Sequence, residues 1–120
     1  MPRSILANIE IDEASMVRRM VSAEASGTDV TSAMAKVGRA IGTSRWTVWG
    51  IYHGRRKDIG GTLMRKVRLA YVGHCERQLA RFEAELRIAK ARCGDDRFSD
   101  LDREIADLAA KIADARERAV

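Results

Sequence analysis

From Val72 onward, apolar residues fall at Val72, Cys75, Leu79, Phe82, Leu86, Ala89 and Cys93, alternately three and four residues apart. After Gly94-Asp95-Asp96 the same spacing resumes at Phe98, Leu101, Ile105, Leu108, Ile112, Ala115 and Ala119. This repeat is the seam of a coiled coil, because a period of about 3.5 residues keeps one narrow stripe on one side of a helix. The stripe is narrower than the face of a helix set into a globular core. Neither helix can bury it alone, so each needs a partner. Two seams joined by a glycine turn predict an antiparallel helical hairpin, closed within the chain, against a second copy, or both. At about 1.5 Å per residue the two helices are expected to be about 39 Å and 31 Å long. Ser99 followed by Asp102 predicts a capping box at the start of the second.

The rest of the chain also reads as helix. Its one proline stands at position 2, so no ring interrupts a helix from Arg3 onward. Asp12 is a plausible N-cap, and Met16, Val17, Met20 and Val21 form an apolar stripe at helical spacing. Gly27-Thr28-Asp29 breaks it, a second helix is expected from about Thr31 to Ile41, and a third from Ser44 to near Gly54. Arg55 to Gly61 reads as a basic loop ending in a glycine pair. The expected class is all-α, with an uncertain arm over 1–11, a small helical domain over 12–71 and the hairpin over 72–120. For 1–11 a short strand, a helical turn and a flexible arm all remain open.

Charge separates the two parts. Residues 29–69 hold nine lysines and arginines against Asp29 and Asp58, whereas residues 95–120 hold five against eight acids. The middle segment would attract a polyanion; the C-terminal one would not. No apolar run approaches the ~18 residues of a membrane span, and acids at Glu10, Asp12 and Glu13 come too early for a secretory leader. Cys75 and Cys93 fall on the seam and read as buried small hydrophobes in a reducing cytosol. A cytoplasmic, nucleoid-associated location is expected.

Between Met34 and His53 the residue types follow the demands of two short helices packed across a tight turn. Val37, Ile41, Val48 and Ile51 supply the inward faces. Gly38 stands where the helices would cross most closely, and Gly42 where the turn needs a left-handed residue. Ser44 can cap the second helix.

The stretch Gly42-Thr43-Ser44-Arg45-Trp46-Thr47-Val48 resembles the opening of the recognition helix in Cro-like phage repressors and the xenobiotic-response-element family. The ending Ile51-Tyr52-His53-Gly54-Arg55-Arg56-Lys57 is similar to that family's close of the same helix. The resemblance covers about residues 13–72 and is strongest over 34–57. It implies a helix-turn-helix transcriptional regulator that binds double-stranded DNA, with helix 44–53 in the major groove. By the family's offsets, Ser44, Arg45, Trp46, Trp49, Gly50 and His53 would face base edges, with Arg45 bidentate to guanine or on a phosphate. The two indoles would touch thymine methyls or sugars, unless one tucks into the core or an interface. Tyr52 is expected against the first helix. Arg55, Arg56 and Lys57 would lie along phosphates, joined by Thr43, Lys36 and Arg39. Family members often carry Gln where Met34 stands, and Val or Ile where Thr43 stands; the first change removes one backbone contact.

Such proteins usually set two copies one DNA turn apart, ~34–36 Å. A homodimer is therefore expected, with Leu79, Phe82, Leu86, Leu101, Ile105, Leu108 and Ile112 in its interface. No enzyme is expected: no Cys or His stands at metal-ligand spacing from His53 or His74, no nucleophile–base pair is evident, and Gly54 to Gly61 lacks the phosphate-loop pattern. No cofactor, metal or small-molecule ligand is implied. The alternative is a helical protein–protein module, an antiactivator or adaptor, that holds another regulator.

Overall fold

A computed structural model describes residues 12–55 and 60–119. The expected arm over 1–11 lies outside them, as do Arg56 and Lys57. Among the described residues are five α-helices and one 3₁₀ turn, with no strand: the chain is all-α. None of these helices is long and apolar enough to cross a membrane. Residues 12–71 and 72–118 form two compact units.

The first unit begins with α1 (Glu13–Ala25), α2 (Val30–Ile41) and α3 (Arg45–Tyr52). Each starts on a side-chain cap. The carboxylates of Asp12 and Asp29 accept from the backbone N–H of Ser15 and Ser32, both at 2.7 Å, and the Ser44 hydroxyl accepts from Thr47 at 3.2 Å. Such caps satisfy backbone donors that a helix leaves orphaned at its first turn. The backbone hydrogen bonds from Ser15 and Ser32 hold the Asp12 and Asp29 carboxyls below the usual aspartate range. Met16, Val17, Met20 and Val21 of α1 are all buried, together with Met34, Val37 and Ile41 of α2 and Val48 and Ile51 of α3. The burial of Met34 gives that position a core role instead of a phosphate contact.

Helix α4 (Gly61–Cys93) is longer than the seam implied. Its 33 residues span about 50 Å at 1.5 Å each, because the helix starts at Gly61, well before Val72. The early turns serve the first unit's core, where Val67 and Tyr71 are buried. There the inward stripe runs one position away from the later heptad phase. Arg68, at the position one step back along the seam, instead donates to Glu13 of α1 at 2.9 Å.

The second unit holds the remainder of α4, the 3₁₀ turn Asp95–Phe98 and, as far as Arg118, α5 (Ser99–Ala119). Gly94, with φ 89°, ends α4. Ser99 is itself helical (φ −60°, ψ −39°), so the 3₁₀ turn leads straight into α5 and the expected capping box is absent. Asp102 has a different partner: both its oxygens accept from Lys90 Nζ, at 2.6 and 2.7 Å. Glu76 accepts from Arg116 through both carboxylate oxygens, Nε at 3.0 Å, and this bidentate bond holds the Glu76 carboxyl below its usual range. The two ion pairs ascend α4 while they descend α5, which orders the helices antiparallel. Along their shared seam Leu79, Leu86, Ile105, Leu108 and Ile112 are buried within a single chain, while Phe82 and Leu101 are half-buried. Five of the seven residues expected at a dimer interface are thus buried in the single chain; of the two seam cysteines, Cys75 is buried and Cys93 is exposed.

Candidate nucleic-acid interface

The position of α3 depends on the turn before it. Gly42 adopts φ 90°, and the N–H groups of Gly42 and Thr43 both donate to the Gly38 carbonyl at 2.8 Å. A Cβ on Gly38 would lie 2.9 Å from the Thr43 carbonyl oxygen and 3.3 Å from the Ser44 carbonyl carbon. Gly38 therefore lets the turn's own backbone close onto α2, a tighter approach than side-chain packing between helices. At its far end α3 is anchored by Arg18 of α1, whose guanidinium donates to the Tyr52 carbonyl at 3.2 Å. Gly54, with φ 67°, then turns the chain, and the Arg55 N–H returns to the Gly50 carbonyl at 2.8 Å.

Held in this way, α3 turns Val48 and Ile51 inward, 0% and 1% exposed, and carries Arg45, Trp46, Trp49 and His53 at the surface. Trp46 is 68% exposed and Trp49 40%. Neither is a core residue, which removes one of the alternatives left open for the indoles. Residues 45, 49 and 53 succeed one another at helical spacing, with Trp46 beside them, so the four share one side. Gly50 and Thr43 are half-buried, and Ser44 is exposed. The Ser44 hydroxyl is occupied locally: besides the cap it shares a 3.1 Å hydrogen bond with the Thr47 hydroxyl.

The exposed rings and cations are stacked on one another. The Arg45 guanidinium lies 4.9 Å from the Trp46 ring centre, and that of Arg55 lies 5.8 Å from Trp49. His53 sits 4.7 Å from Trp49, and Tyr52 meets His53 edge-on at 5.0 Å. Tyr52 thus reaches α1 through its carbonyl, while its ring turns toward His53. Such cation–ring pairs hold a long side chain near one geometry at a cost already met in the free protein.

Lys36 and Arg39 are exposed on α2. From Val30 to Arg55 the chain contains no aspartate or glutamate, so no acid from this stretch offsets its cations. Arg18 was not among the residues that sequence reasoning singled out. Its position on the outer side of the α1 stripe is the one signal it carries, and that signal is shared with Arg19. Among the described residues no group of three or more His, Cys, Asp or Glu side chains is placed to hold a metal ion. No protein-family model, curated protein or solved structure matches the chain.

Proposed function

We propose that this chain is a sequence-specific, double-stranded DNA-binding transcriptional regulator of phage or mobile-element type. In this reading α2, the Gly42 turn and α3 are a helix-turn-helix, and α3 enters the major groove. The observation that carries it is the composition of the outer side of α3. It presents Arg45, Trp46, Trp49 and His53 from a stretch without a single acid, on a helix fixed by the close turn at Gly38. An eight-residue helix with its apolar side buried and a cationic, hydrogen-bonding side outward suits a groove lined by base edges between two rows of phosphates. Arg45 reads bases, and Arg55, Lys36 and Arg39 hold phosphates, with Arg56 and Lys57 continuing the basic run.

The remainder of α4 with α5 forms a helical hairpin that closes its own seam. Two copies then meet on a two-fold-symmetric operator in the cytoplasm, without an obligate free dimer. Among the described residues Ile88 is the one largely exposed large apolar side chain on these two helices, too little for a permanent interface.

Selection of bound duplexes from a random pool, followed by titration at two salt concentrations, tests the reading. A recovered consensus with affinity falling steeply with salt is expected. Absence of salt-dependent retention would overturn it in favour of a protein–protein module, for which exposed tryptophan and arginine are also apt.

A further inference from the structure

The Arg45–Trp46 pair deepens that reading and rests on it. On a small domain an indole left 68% exposed has no folding rationale. Its neighbour on the ring face is a guanidinium, 4.9 Å from the ring centre. The two therefore present together one flat apolar surface and one fork of donors. The major groove offers a matching combination where a guanine and a methylated pyrimidine are successive bases of a strand. Guanine shows two acceptors, N7 and O6, suited to a bidentate arginine; a pyrimidine with a C5-methyl group shows the one apolar projection on the groove floor. Bases follow one another at about 3.4 Å along a strand, so a ring centred 4.9 Å from the guanidinium reaches the base next to the one that the guanidinium contacts. The stretch without acids around the pair matches the charge of the duplex. Trp49 is less suited to this role, since His53 and Arg55 already lie against it.

We propose that Arg45 and Trp46 act as one reader of a methylpyrimidine–guanine step. Arg45 bonds to the guanine, and the Trp46 indole covers the C5-methyl group of the pyrimidine on its 5′ side. Thymine and 5-methylcytosine are equivalent at that position; cytosine and uracil are disfavoured.

The test uses the full chain and a duplex selected from a random pool. The thymine of the conserved thymine–guanine step is replaced in turn by deoxyuridine, cytosine and 5-methylcytosine, each with its complementary base, and affinity is measured by fluorescence anisotropy of a labelled duplex. Deoxyuridine should weaken binding about four-fold, the value carried by one buried methyl group. Cytosine should weaken it at least as much, and 5-methylcytosine should recover the loss. Trp46→Ala should bind the thymine and deoxyuridine duplexes alike while still requiring the guanine. Trp46→Leu, which keeps an apolar contact, should retain part of the difference. Equal binding of thymine and deoxyuridine by the unaltered protein, or a selected site without such a step, overturns this inference and leaves the DNA-binding reading standing. Failure to retain any duplex overturns both.

Discussion

Gly38 is the residue whose replacement has the clearest sign. Inside a helix, alanine for glycine ordinarily gains up to about 1 kcal/mol from backbone entropy. Here the added methyl would meet the Thr43 carbonyl oxygen at 2.9 Å, and this is backbone that can move away only if the turn moves with it. Overpacking of this kind costs about 1–3 kcal/mol, so the clash outweighs the propensity gain. Gly38→Ala should lower the denaturant midpoint in urea unfolding; an unchanged or raised midpoint would show that the turn yields. Arg45 and Arg55 divide along the proposed roles. Arg45→Ala should cost about 1–3 kcal/mol at one base pair and relax preference there, whereas Arg55→Ala should weaken all duplexes alike and reduce the salt slope by about one. Matching losses in the two variants would remove the distinction. These positions were legible in the sequence because glycine, serine and arginine carry their chemistry in their identity. The bidentate Glu76–Arg116 bond and the Arg18 anchor were not: both join residues far apart in the chain, and no short spacing marks them.

At the scale of elements, period and caps located most of the helices. The apolar positions of α1, α2 and α3 are the ones buried, since a 3.6-residue repeat fixes a helix face wherever it packs. The start of α4 escaped because its inward stripe changes register between Tyr71 and Val72, and a Gly60-Gly61 pair reads as a break rather than a start. The absent cap at Ser99 has a similar origin, for a 3₁₀ turn before it leaves no helix end to cap. Leu108, 1% exposed, stands near the middle of the α4–α5 seam. Leu108→Ala should destabilise the chain by about 2–5 kcal/mol, the usual range for a buried leucine, measured by chemical denaturation. A loss below that range would mean the two helices hold together chiefly by their ion pairs. The caps of α1 and α2 give a pH signature. Because the Asp12 and Asp29 carboxyls sit below the usual aspartate range when folded, their contribution is full above that range. It is lost as pH falls through the folded values. Asparagine caps about as well as aspartate but does not titrate. The Asp12→Asn, Asp29→Asn double variant should therefore melt with a shallower dependence on acid pH than the parent. Parallel slopes would count against the caps.

For the whole molecule, the seams alone left open whether they close within one chain or between two. A heptad stripe states that a helix needs a partner and is silent on which chain supplies it. Burial of the seam inside one chain leads to an expected outcome: free protein sediments at micromolar concentration with the mass of one chain, and the operator complex carries two. A dimer in the absence of DNA would place an interface on the outer sides of α4 and α5. The two tryptophans, the only ones in the sequence, both lie at the surface of α3 and away from the core. The ultraviolet emission of Trp46 should accordingly resemble that of free indole in the native state, whereas that of Trp49, set against His53 and Arg55, should change when the chain is denatured. Covering by a ligand should shift both toward the blue or quench them. Both indoles stand on the side that a bound partner would cover, so unlabelled protein can report its own binding in solution.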